Sequence, residues 1–160
     1  MRIIFLALLI MPVAIGAAPS QASADAGRPA FVQQDGSLKV GGRTVRLHGI
    51  YIPPTRRTCR TLLRPPRCGS RAALALDVRI QGFVYCNEVG RNADGSISAV
   101  CRVDGTDSRL GSREDLAAYL LSQGWAVALP GAAFEYMTLE RIARVHNRGI
   151  WGFQADSIDR

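Results

Sequence analysis

The chain has 160 residues, with 20 Lys and Arg against 13 Asp and Glu, a net charge of +7 and a pI near 9.9. At 48% apolar and 21% charged it can bury the core of one ordinary domain, which excludes a disordered chain, a collagen-like repeat, a coiled coil and a multidomain machine. Lys39 is the only lysine, so the basic excess is arginine, whose planar fork matches phosphate, sulfate and carboxylate groups.

The chain begins like an export signal. Met1-Arg2 gives a positive start, residues 3–18 are almost all apolar, and Ala22-Ser23-Ala24 offers the small-x-small pattern that signal peptidase cuts after. This reading gives a signal peptide over 1–24 and one domain over 25–160, exported to the periplasm or the medium. The apolar run contains Pro12 and Gly16, falls short of the roughly 20 residues of a membrane span, and has no counterpart downstream. The mature chain is therefore expected to lack a span, with a retained anchor as the alternative. Loss of Arg2 leaves it at +6.

Alternation predicts strands at 31–34, 38–40 and 43–50, with Asp35-Gly36 and Gly41-Gly42 as turns, hence a three-stranded meander. Residues 55–69 follow Pro54, contain Pro65-Pro66 and read as a loop carrying Arg56, Arg57, Arg60, Arg64 and Arg67 without an acid. Ser70 can cap a helix that runs to about Ile80, buries Ala73, Leu74, Leu76 and Ile80, and stops at Gly82. Strands at 83–89 and 97–103 bracket Asp94-Gly95, a hairpin signal. Ser112-x-x-Asp115 has the form of a capping box for a helix with Leu116, Leu120 and Leu121 inside, stopped by Gly124.

A short extended piece at 125–129 and a Pro130-Gly131 turn lead to a last helix from Phe134 to about Asn147, ended by Gly149. Trp125 and Trp151 are expected to plug the helix-to-barrel interface, and Glu140 with Arg144 to be a surface i, i+4 pair. The tail, 152–160, carries no motif and reads as flexible; no internal repeat is evident. Five strands, one helix between the third and fourth, and helices at the C-terminal end predict an α+β fold built on a five-stranded barrel of the oligonucleotide/oligosaccharide-binding (OB) type.

Four cysteines in an exported chain can pair completely, in three ways. The favoured pairing joins Cys59 to Cys68, closing the proline loop, and Cys86 to Cys101, which fall opposite each other when the hairpin is counted outward from Ala93 and Asp94. Zinc is the rival, opposed by the lack of a Cys-x-x-Cys and by the spacing of His48 and His146.

Asp35-Gly36-Ser37-Leu38-Lys39-Val40, then Gly42, then Val45-Arg46-Leu47-x-Gly49-Ile50-x-x-Pro53 open the domain; Asp115-Leu116, Gly124-Trp125-Ala126, Tyr136, Glu140, Ala143-Arg144 and Gly149-Ile150-Trp151 follow. In this order and spacing the chain resembles the staphylococcal nuclease-like (thermonuclease) domain family over nearly all of its mature length. The resemblance implies a calcium ion held by carboxylates, a glutamate that helps water attack a nucleic-acid phosphate, and two arginines that stabilise the pentacoordinate phosphorus. Arg46 stands where the first arginine belongs. Asp35 fits the first turn and is the remaining candidate metal ligand, but the metal-binding aspartate after it is Ser37 and the threonine is Leu38. Tyr51 replaces the second metal carboxylate and Pro54 the glutamate, while Asp94-Gly95-Ser96 fills the place of the second arginine unless Arg91 or Arg102 reaches over. No cofactor is expected, and calcium only if the site has been rebuilt.

Three functions follow from this reading. The first is a non-catalytic binding module for an anionic polymer, single-stranded nucleic acid or acidic exopolysaccharide, held by Tyr51, Arg56, Arg57 and Arg60. Tyr51 and Tyr85 are the aromatic platforms expected outside the helical core, which tilts the choice away from nucleic acid. The second is phosphodiester hydrolysis by a rearranged site using Arg46, His48 and Tyr51, with Asp35 or Glu88 as carboxylate; alternation puts His48 on the same strand face as Arg46. The third is an accessory role beside an envelope protein, by similarity to family members associated with exopolysaccharide production. A monomer is expected.

Overall fold

The computed structural model describes residues 26–56, 58–60, 67–105 and 112–152, with 59, 60, 67 and 68 described in backbone only. The expected signal peptide, Arg57, Arg64 and 153–160 of the tail lie outside the described residues. Strands β1 (Arg28–Val32), β2 (Leu38–Val40) and β3 (Arg43–Leu47) form the meander, joined antiparallel in sequence. Gly41 and Gly42 make the two-residue turn between β2 and β3 with φ of 55° and 80°, a pair of left-handed positions that only glycine takes without strain.

The third strand is shorter than its alternation predicts. It ends at Leu47, because Gly49 takes φ 77° against the ring of Tyr136, and the chain restarts in a new direction as β4 (Ile50–Tyr51). The expected loop at 55–69 contains a small antiparallel ladder, β5 (Thr58–Arg60) with β6 (Arg67–Gly69), whose register sets Cys59 opposite Cys68. The helix α1 (Arg71–Arg79) begins where Ser70 Oγ accepts the Ala73 amide proton at 3.1 Å. It buries Ala72, Ala73 and Leu76, while Leu74 and Ile80 are only partly covered.

Strands β7 (Phe83–Arg91) and β8 (Ile97–Asp104) form the hairpin, with a register break between Glu88 and Gly90. Cys86 and Cys101 are direct partners in it and form a disulfide, their Cα atoms 4.0 Å apart. β1 also pairs with β7, and β3 runs parallel to β8 through Val45↔Ile97, Arg46↔Ser98 and Leu47↔Ala99. That seam closes a five-stranded barrel in the order β1-β2-β3-β8-β7, so the α+β, OB-like fold read from the sequence is the fold observed. Leu38, Val45, Leu47, Val84, Ile97, Ala99 and Cys101 fill its interior.

Strand β9 (Arg113–Asp115) adds to the edge of β8, and this displaces the expected capping box. Extended pairing persists to Asp115, so Asp115 rather than Ser112 caps α2 (Leu116–Ser122), accepting from the amides of Ala117 and Ala118 at 2.8 and 3.2 Å. Leu116, Ala117, Leu120 and Leu121 turn inward. β10 (Val127–Ala128) pairs with β4, and α3 (Phe134–Val145) follows the Pro130-Gly131 turn.

Glu140 is not surface decoration. It is buried on α3, accepts the Ala128 amide proton at 2.8 Å through Oε2 and pairs with Arg144 through Oε1, which fastens the helix to β10. Trp125 is a partly buried neighbour of the core, whereas Trp151 is partly buried beneath the Arg144 guanidinium, 4.0 Å from its ring centroid. No helix among the described residues is long and apolar enough to cross a membrane.

Candidate functional site

Arg46 points out of the barrel between Val45 and Leu47, which point in. The two strands beside β3 are entered through the same turn. Before β2, the amide and hydroxyl of Ser37 both donate to Asp35 Oδ1, at 2.9 and 2.7 Å, and the frame is closed by Gln33 N to Ser37 O at 2.8 Å and Gly36 N to Gln33 O at 3.0 Å. Before β8, Ser96 donates twice to Asp94 Oδ1, at 3.0 and 2.6 Å, with Asn92 N to Ser96 O at 2.9 Å and Gly95 N to Asn92 O at 3.0 Å. Gly36 and Gly95 take φ of 87° and 79°, and both serines are buried. The pattern Gln/Asn-x-Asp-Gly-Ser thus builds the same turn twice.

With each Oδ1 held by serine, each Oδ2 faces the arginine. Asp35 Oδ2 lies 3.6 Å from Arg46 Nη1, and Asp94 Oδ2 lies 3.2 Å from Nη2 and 3.3 Å from Nε. Burial pushes Asp35 upward, but the Ser37 hydroxyl and amide and then Arg46 outweigh it, leaving its pKa below the ordinary 3.8. Asp94 is held low chiefly by Ser96, then by Arg46. The Asp94-Gly95-Ser96 segment, expected from the resemblance to stand in for a second arginine, supplies Arg46 with a carboxylate.

Calcium does not fit this donor set. Asp35 presents one oxygen to two serine hydrogens and the other to a guanidinium, and Ser37 and Tyr51 bring no charge. Among the described residues no three His, Cys, Asp or Glu side chains gather as a metal site.

The remaining candidates are spread out. His48 is exposed just past β3, and its Nδ1 is 3.0 Å from Ser98 Oγ, a hydroxyl rather than a carboxylate. Glu88 is engaged by Arg43 at 3.8 Å and Arg91 at 3.5 Å. Arg102 stands in register between Tyr85 and Asp115, while Arg91 lines an open cleft of about 370 Å³ with Arg43, Thr44 and Asp94. Tyr51 is half exposed in a second groove of about 760 Å³, shared with Gln33, Gln34, Asp35, Pro54 and Thr55, and no basic side chain lines it among the described residues. Arg56 is exposed; Arg57 and the side chain of Arg60 lie outside the described residues. Arg46 joins the two hollows, since Asp35 borders one and Asp94 the other.

Sequence reasoning missed the Arg43 and Arg91 pairing and the twin turn, whose signal was the repeated Asp-Gly-Ser. It also missed Phe31 and Phe83, 71% and 57% exposed on the outer face of β1 and β7. No protein-family model matches the chain, and no curated protein matches it.

Proposed function

We propose that this is a thermonuclease-like barrel that has lost its hydrolytic site and serves outside the cytoplasm as a binding or accessory module for an anionic polymer, nucleic acid or acidic polysaccharide. The observation that carries the reading is the pairing of Arg46 with two aspartates. A guanidinium that must stabilise a phosphorane has to meet phosphate oxygens, and here two carboxylates hold its donors while Pro54 occupies the place of the glutamate. Arg43 and Arg91 are different. Both are largely exposed and share one carboxylate, Glu88, at an open cleft whose wall also carries Asp94, the partner of Arg46. A chain lying in that cleft would meet the Arg43 and Arg91 guanidinium groups, and one continuing past Arg46 and its two aspartates would reach the Tyr51 ring beside the Gln33 and Gln34 amides. The Cys86–Cys101 disulfide and the lack of a spanning helix among the described residues are compatible with export.

The test is retention of the purified exported protein on single-stranded DNA and on an acidic polysaccharide across a salt series, beside Arg43→Ala/Arg91→Ala. The double variant should bind about tenfold more weakly, and on DNA the slope of log affinity against log salt should flatten by about 1.4. Unchanged binding by the variant sinks the cleft as the site. DNA or RNA cleavage that needs calcium and stops in EDTA would favour the alternative, a phosphodiesterase with a rearranged site.

A further inference from the structure

Helix α3 is amphipathic in the ordinary sense on one side only. Tyr136, Glu140 and Ala143 are buried against the body of the protein. The opposite side should then be polar. It is not. Phe134, Met137, Arg141 and Val145 fall at i, i+3, i+7 and i+11, one outward stripe, and Ile142 borders it. Phe134 is 81% exposed and Val145 72%, with Met137 at 45% and Ile142 at 43%. Leu129, in the turn that leads into the helix, is exposed as well. Large apolar side chains gathered on one surface mark a place of contact.

The charges on the helix narrow what that contact is. Arg141 sits exposed inside the stripe near its midpoint. Glu135 borders the Ile142 side, and Arg144, already paired with Glu140, borders the other. A two-fold pairing of this stripe with its own copy would press Arg141 toward Arg141 in the middle of an apolar contact, which repels and desolvates both. An interface in which apolar chains lie directly beneath phosphates accepts both features: the stripe enters the acyl boundary and the arginine stays at phosphate level.

We propose that the outward face of α3 is a binding surface for anionic phospholipid, laying the protein on a membrane without crossing it. This surface is separate from the Arg43 and Arg91 cleft and does not depend on the polymer-binding reading. The test is flotation of the purified exported protein, its N-terminus read by mass spectrometry, with vesicles of phosphatidylcholine alone or of phosphatidylcholine and phosphatidylglycerol in equal parts. Three variants accompany it: Phe134→Ser/Val145→Ser, Arg141→Gln, and Arg43→Ala/Arg91→Ala. The altered α3 side chains are exposed, so a thermal melt should find the variants folded.

Binding to the phosphatidylglycerol vesicles, weakened about tenfold or more by the double serine variant and left in place by the cleft variant, supports the proposal. Arg141→Gln should narrow the preference for the anionic vesicle. No binding above the phosphatidylcholine level overturns it. So does vesicle binding that survives in the double serine variant and disappears in the cleft variant. A lipid-free dimer in sedimentation that the double serine variant dissociates also overturns it, because a second copy would then be the occupant.

Discussion

Asp35 and Asp94 carry the same chemistry in two places, and their titration separates what the serine turn does from what Arg46 does. Ser37 lowers Asp35 more than Arg46 does, and Ser96 ranks ahead of Arg46 for Asp94. In a carboxyl NMR titration, Ser37→Ala should therefore raise the Asp35 pKa further than Arg46→Gln, while Arg46→Gln should raise both aspartates together. A larger effect from Arg46→Gln would mean that the ion pair, and not the turn, sets these values. Folded pKa values below 3.8 mean that the two aspartates contribute stability that is complete above that value and lost as pH falls through the folded values. Acid sensitivity from this source belongs below about pH 4, with none from it between roughly pH 5 and 8.

Asp115 joins three elements. One oxygen caps α2 and the other accepts the Tyr136 hydroxyl of α3 at 2.9 Å, at the end of β9. Burial, and then this hydrogen bond, raise the Tyr136 phenol pKa. Asp115→Ala should cost about 2–4 kcal/mol in urea unfolding, a lost cap plus an orphaned buried hydroxyl, and Asp115→Asn clearly less because it keeps an acceptor. A cost below about 0.5 kcal/mol for the alanine would show that water replaces both partners.

The same element shows where sequence reading stops. The hairpin, its disulfide register and the Ser70 cap were legible because each is decided within about 15 residues. The Asp115 cap was not, since it depends on β9 choosing the edge of β8. Glu140 reads locally as an i, i+4 partner; its bond to the Ala128 amide, 12 residues back, forms only when α3 packs on β10, a contact with no sequence signal. Arg46 itself was legible. Its two partners were not, because they meet only when β3 closes in parallel on β8, a pairing with no local signal.

At the scale of the molecule, the barrel is closed by three register pairs between β3 and β8, residues about 50 apart in sequence, and β7–β8 is its longest ladder. The Cys86–Cys101 bridge fixes that ladder across 15 residues, which corresponds to about 3 kcal/mol of stabilisation. Cys86→Ala/Cys101→Ala should lower the melting temperature by on the order of 10 °C while keeping the far-ultraviolet spectrum. An unchanged melting temperature would place the barrel's stability elsewhere.

The clasp at the barrel's seam makes Arg46 a poor candidate for silent replacement. With the guanidinium present, the three groups sum to one negative charge; with alanine in its place, two carboxylates face one gap at twice that charge. Their mutual repulsion would then favour any cation that entered. Removing this one guanidinium therefore doubles the negative charge at this end of the barrel.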